Sequence, residues 1–241
     1  MLITEFTDIS SDFSLDQAVV FHDELNPKIF NGNTMKPEIR DGLLNIAEHF
    51  ADFIGVELEI VDITISGSNA AFSYTAESDV DLHIVVKVPD DEAYKQLLDA
   101  KKNVYNAEHD IKVKGIDVEL YAQDSTEEHH SLGIYSVLND EWVDEPKKQE
   151  ISIDSEDVQS KYKNYRDRID VVLDQDRLVV AKDMAKDIKR MRQSGLSSKG
   201  EFSTENLAFK MLRKQGWIDK LYAHIKDLQD QELSIEQRLG I

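Results

Sequence analysis

The 241-residue chain contains no cysteine. That excludes disulfides, zinc–thiolate centres and cysteine nucleophiles, and it fits a cytoplasmic protein. Long apolar runs are also missing. Nothing approaches the roughly 20 apolar residues that cross a bilayer, so no membrane partner is expected. The opening Met1-Leu2-Ile3-Thr4-Glu5-Phe6 lacks the basic start and apolar stretch of a secretory signal. Positive charge is scarce in the first part of the chain. Residues 1–150 hold 11 Lys and Arg against 32 Asp and Glu, whereas residues 151–241 hold 17 against 16. Long nucleic acids bind through many neutralised phosphates, so they are not expected partners here. The acid surplus instead favours solubility. Repeats and low-complexity segments are absent too. Hydrophobic residues make up 41%, which supplies a core for one large domain or two modest ones.

Hydrophobic periodicity divides the chain. Residues 1–36 read as irregular, with Pro27 and Asn31-Gly32-Asn33 as turn signals. A helix is predicted from Pro37 to Ile54, with Leu43, Ala47, Phe50 and Ile54 on one face and Gly55 at its end. Strands follow at Glu57 to Ile65 and Asp79 to Val88. Asp90 to Val104 reads as a helix, and Ile111 to Tyr121 as one strand kinked at Gly115. Ser125 to Glu150 is a long stretch without a clear period. Pro146 and Lys147-Lys148 then mark the end of a first domain, residues 1–150. Residues 151–241 read as a helical domain. Val158, Tyr162, Tyr165, Ile169 and Val172 mark one helix, and Leu178 to Met191 a second closed by Gly195. A last pair is capped by Ser203 or Thr204 and broken at Gly216.

The chemistry concentrates between Ile63 and Val86, in ITISGSNAAFSYTAESDVDLHIVV. An apolar strand enters a Gly67-Ser68 turn, and ten residues later a strand carries Asp79 and Asp81. Residues two apart on a strand share a face, so these carboxylates project together, about 7 Å apart at the backbone. Two such hard oxygen donors suit Mg2+, with Mn2+ able to stand in. A Gly-Ser turn lets a phosphate approach the backbone and adds a hydroxyl donor. An isolated Asp-x-Asp is more often a solvated strand face; Gly67-Ser68 at this spacing turns the reading toward phosphate chemistry.

Ile65-Ser66-Gly67-Ser68 and Asp79-Val80-Asp81-Leu82 together resemble the signature of the nucleotidyltransferase superfamily related to DNA polymerase beta. The longer pattern beginning at Leu25-Asn26-Pro27 is similar to uncharacterised nucleotidyltransferases of tailed bacteriophages. The resemblance implies an α+β fold: a nucleotidyltransferase catalytic domain with a small mixed sheet flanked by helices, followed by an all-helical C-terminal domain. It implies a Mg2+-dependent enzyme that moves a nucleoside monophosphate from an NTP, with ATP the expected donor, to a hydroxyl, releasing pyrophosphate. The acceptor is left open among a small molecule, a protein side chain and an RNA end. The expected location is cytoplasmic, the host cytoplasm for a phage-encoded chain.

Family members carry a third metal carboxylate on a neighbouring strand. Asp117 and Glu119 both qualify, and Glu119 is preferred because it lies deeper in the apolar run and farther from Gly115. The implied catalytic and metal residues are therefore Asp79, Asp81 and Glu119. The implied nucleotide-binding residues are Gly67, Ser68 and Ser78, the last in support of the metal ligands. His83 and Tyr74 read as packed, and His129-His130 as loop histidines. Residues 177–220 hold 11 Lys and Arg against 5 Asp and Glu. They read as a solvated helix face or as cations that grip triphosphate or acceptor. Two rival functions share the motif: a protein-nucleotidylating, antitoxin-like enzyme, which the extra helical segment disfavours, and a nucleotide-binding regulator without turnover.

Overall fold

The computed structural model describes residues 15, 18–89, 91–127, 131–148 and 153–234. In chain order the first elements are β1 (Phe30–Asn31), β2 (Thr34–Met35), α1 (Pro37–Ile54), β3 (Ile60–Ser66) and β4 (Val80–Val86). There follow α2 (Glu92–Glu108), β5 (Lys112–Val113), β6 (Ile116–Asp124), β7 (Ile134–Ser136) and β8 (Glu141–Asp144). The remainder is helical: α3 (Ser155–Leu173), α4 (Leu178–Lys199), α5 (Thr204–Lys214) and α6 (Trp217–Leu233). The described residues form two compact units, one drawn from 20–149 and the other from 1–19 together with 150–241. The first is α+β with a mixed sheet, and the second is helical.

In the first unit, α1 starts on Pro37, whose fixed φ and missing N–H suit a first turn. It stops where Gly55 takes a left-handed φ of 74°. Ile39, Leu43, Ala47, Phe50 and Ile54 recur along one stripe and are buried. They pack in one core with Val80, Leu82, Ile84 and Val86 of β4 and with Leu98 and Tyr105 of α2. Burying a side chain the size of Leu43 or Phe50 contributes about 2 kcal/mol.

The sheet has six strands in the order β5-β6-β4-β3-β7-β8. All neighbours are antiparallel except β4 and β6, which run parallel. A parallel pair cannot be joined by a tight turn, and α2 supplies the crossover. The alternation of β4 is complete: Val80, Leu82, Ile84 and Val86 are buried, while Asp81, His83 and Val85 are half-exposed on the opposite face. Period two thus separates a core face from a polar face.

Several expectations need correction. Ile111 to Tyr121 is not one kinked strand. Lys114 (φ 49°) and Gly115 (φ 78°) form a two-residue turn between β5 and β6. Two successive left-handed residues are the hairpin turn whose twist matches its strands. Residues 30–35, read as irregular, form a small hairpin, β1 with β2, around Gly32 (φ 60°). The long stretch after Ser125 contains β7 and β8. Three- and four-residue strands are too short to show a period, and the pairing of β7 with β3 and of β8 with β7 decides them.

In the helical unit, Val158, Ile169, Ala181, Leu207 and Leu221 are among the fully buried residues of a separate core, which also takes in Ala18 and Val19. Asp154 caps α3 by accepting from the Glu156 and Asp157 amides, and Ser203 caps α5 by accepting from the Asn206 amide at 3.2 Å. Gly195 does not end its helix; α4 continues to Lys199. Gly195 is there because α4 and the start of α5 nearly touch. A Cβ at this position would lie 2.5 Å from the Glu205 Cβ and 2.6 Å from the Ser203 Oγ. Helix propensity alone would favour Gly195→Ala by about 1 kcal/mol. Overpacking against the cap reverses the sign, and a net loss of ~2 kcal/mol is expected. Thermal melting checks this. A raised or unchanged Tm would contradict the close approach. No helix among the described residues is long and apolar enough to cross a membrane.

Candidate active site

The two halves of the motif meet at one end of the sheet. Ser66, the last residue of β3, pairs with Asp81 near the start of β4. On its other side β4 runs parallel to β6, in a register that sets Asp81 beside Glu119 and His83 beside Tyr121. Neighbouring strands lie about 4.8 Å apart, so Asp81 and Glu119 stand side by side on the polar face. Asp79 lies two residues before Asp81, where the chain enters β4.

Tyr121 marks how closely the acids gather. Burial pushes its phenol well above the usual tyrosine range. The negative charges of Asp81 and Glu119, a hydrogen bond with Glu119 and the charge of Asp79 push it further in the same direction. His83 stacks on Tyr121 with ring centroids 4.8 Å apart, and its Nε2 lies 3.0 Å from the Ser66 Oγ. The two rings form a platform on the polar face, just below the acids. Among the described residues no group of three or more His, Asp or Glu side chains is gathered as a ready-made metal cage.

Asp117, the alternative third carboxylate, is placed differently. It is exposed and forms an ion pair with Lys112 across the β5–β6 hairpin. Glu119 sits in register with Asp81, whereas Asp117 pairs with an edge residue of the neighbouring strand.

Gly67 follows β3 with φ 74° and ψ −160°, a region that side chains rarely enter. A Cβ there would lie 2.0 Å from the Asp81 Oδ2. The glycine therefore lets the carboxylate pack directly against the turn. The Gly67 amide donates to the Ser131 Oγ at 3.1 Å. Ser68 opens a short 3-10 turn ending at Ala70. Its hydroxyl donates to the Ser78 Oγ at 2.8 Å, and Ser78 also accepts from the Thr75 amide at 2.9 Å. Ser68 and Ser78 thus hold each other and close the loop between the motif halves. Within that loop Tyr74 stacks on His22 at 3.8 Å.

Four contributors were not singled out from the sequence. Asn69 is fully buried; its Nδ2 donates to the Ser78 and Asp79 carbonyls at 2.9 and 2.8 Å. Its position beside Ser68 was a usable signal. Tyr121 could have been found from its place two residues beyond Glu119, on the same face. Ser131 and Gly133 carried no signal, because they reach the turn from a distant loop. A Cβ on Gly133 would lie 2.1 Å from the Ala70 carbonyl oxygen. His129 and His130 lie outside the described residues.

In the helical unit the cations of α4 are partly neutralised on their own surface. Lys186 pairs with Asp183 at 3.5 Å, and Arg190 with Asp187 at 3.3 Å; Asp187 also meets Arg168 at 2.5 Å.

No family model matches the chain, and no curated protein matches it. A solved structure that does match is the STING-associated CdnE c-di-GMP synthase from Capnocytophaga granulosa. It is 12% identical over 82% of this chain and 84% of that one, with a TM-score of 0.22, which carries no argument about this chain.

Proposed function

We propose that the chain is a nucleotidyltransferase that moves a nucleoside monophosphate from an NTP to a hydroxyl acceptor. The observation that carries this reading is the placement of Asp81 in register with Glu119 on parallel strands, with its carboxylate packed against the Gly67-Ser68 turn. Phosphate cradle and carboxylates open at one end of the same strands.

The donor set has the chemistry that a hard divalent cation takes, although its three carboxylates are not gathered as a ready-made cage. It is all carboxylate oxygen, and the Asp81 carboxylate lies directly against the Gly67 turn. Asp79, Asp81 and Glu119 would hold Mg2+, or Mn2+ in its place. When bound, the metal supplies positive charge for the triphosphate and favours the alkoxide form of the acceptor. The chain's own residues supply the rest. Gly67, having no side chain, holds the turn against the Asp81 carboxylate, and Ser68 turns its hydroxyl from Ser78 to the β- or γ-phosphate. Ser78 keeps its bond to the Thr75 amide and so retains the loop. Glu119, hydrogen-bonded with Tyr121, takes the proton of the acceptor hydroxyl. The acceptor oxygen bonds to the α-phosphorus as the bond to the bridging α–β oxygen breaks, and pyrophosphate leaves. Holding the partners in line provides much of the acceleration. ATP is the expected donor, and a small molecule, a protein side chain and an RNA end are the candidate acceptors.

The choice of third carboxylate gives a direct test. Glu119→Gln and Asp117→Asn each keep volume and remove one charge. Transfer from α-labelled NTP is expected to fall about 100-fold in Glu119→Gln and less than about threefold in Asp117→Asn. The reverse order would move the third position to Asp117, and full retention of activity in both would remove Glu119 and Asp117 from the chemistry.

A further inference from the structure

The Leu25-Asn26-Pro27 segment lies some 40 residues before the motif and has no part in the chemistry above. Asn26 nevertheless reaches it. The Asn26 Nδ2 donates to the Asn69 Oδ1 at 2.7 Å, and both side chains are more than nine-tenths buried. Asn26 is itself anchored. Its Oδ1 accepts from the Lys28 amide at 3.0 Å, and its carbonyl accepts from the Ile29 and Phe30 amides at 2.9 and 2.8 Å.

We propose that Asn69, held by Asn26, is the positioning residue of the carboxylate site, fixing the backbone from which Asp79 and Asp81 project. A carboxamide has two N–H donors and one carbonyl acceptor. At Asn69 both donors go to main-chain carbonyls, of Ser78 and of Asp79 itself, and the carbonyl goes to Asn26. The amide cannot be turned over. The reversed orientation would set its oxygen against two carbonyl oxygens and its nitrogen against the Asn26 nitrogen. The peptide of Asp79 is therefore fixed in orientation as the chain enters β4. With Asp79 the first carboxylate and Asp81 two residues on, this pins the direction of the pair before any metal arrives. An apolar residue could fill the same volume. It would remove both hydrogen bonds from this side chain to the half-buried Ser78 and Asp79 carbonyls and so loosen the orientation of the Asp79 peptide. The same loop carries Ser78, so one side chain spans from the phosphate turn to the metal ligands.

This inference rests on the nucleotidyltransferase reading, and the test separates the two. Mn2+ binding is titrated by electron paramagnetic resonance in the parental protein, Asn69→Ala and Asn26→Ala, with thermal melting and NTP turnover measured alongside. In Asn69→Ala the Mn2+ affinity is expected to fall about 10-fold and kcat about 100-fold, while the KM for NTP moves less than about threefold. Asn26→Ala, which leaves both bonds from Asn69 to the carbonyls, is expected to fall in the same direction by about threefold. A lower Tm with unchanged Mn2+ affinity and kcat would make Asn69 a fold residue and overturn the proposal. So would failure of both variants to fold. Absence of Mn2+ binding and turnover in the parental protein would overturn the nucleotidyltransferase reading, and the proposal with it.

Discussion

Asp81→Asn is expected to lower nucleotidyl transfer by about 10³-fold, the equivalent of ~4 kcal/mol of transition-state stabilisation. Asp79→Asn should behave alike. The substitution keeps the shape of the side chain, so the packing against Gly67 survives. It removes one negative charge from a face that also carries Asp79 and Glu119, all three of which act on Tyr121. Relief of that repulsion should leave Tm unchanged or slightly raised. The combination of lost activity and retained stability identifies a residue that serves chemistry rather than packing. Turnover of Asp81→Asn at the parental rate would remove the site assignment.

Gly67→Ala should be damaging for a different reason. A left-handed φ of 74° with ψ near −160° is costly for alanine, and the new methyl would occupy the place of the Asp81 Oδ2, 2.0 Å away. A loss of ~3 kcal/mol of stability is expected, together with transfer reduced more than about 100-fold as the carboxylate is pushed aside. The two causes can be separated. In an Asp81→Ala background the collision is gone and only the backbone strain remains, so the same glycine substitution should cost ~1 kcal/mol. Urea unfolding of the four proteins of this cycle provides the measurement. Equal costs in both backgrounds would show that the glycine serves the backbone alone, and that the turn does not support Asp81.

What the sequence revealed about this site was local. Gly67-Ser68 and Asp79-Val80-Asp81 are separated by a loop of ordinary length, and period two on one strand suffices to put the aspartates on one face. The α1 stripe and the Gly55 stop were legible for the same reason, since helical spacing and a left-handed cap are written in adjacent residues. The second unit's helices were likewise readable, but a glycine near a helix end reads as a terminator, and Gly195 is not one. Its actual constraint comes from Ser203 and Glu205 on the next helix. The β5–β6 turn is not legible as a hairpin because Lys114, rather than Asn or Asp, fills the first left-handed position. The choice of Glu119 over Asp117 could not be made from alternation, which puts both on one face. The parallel register with β4 sets Glu119 beside Asp81, while Asp117 forms an ion pair with Lys112. Ser131 and Gly133 remained hidden because their contacts to the turn cross more than 60 residues of chain.

The most direct measurement incubates the protein with Mg2+ and each α-labelled NTP in turn, in the presence of cell lysate, and follows label into small-molecule, protein and RNA fractions. The account predicts that one fraction gains label with release of pyrophosphate, that chelation of the metal stops it, and that Asp81→Asn abolishes it. No transfer from any of the four NTPs, or equal labelling by the parental protein and Asp81→Asn, would contradict it.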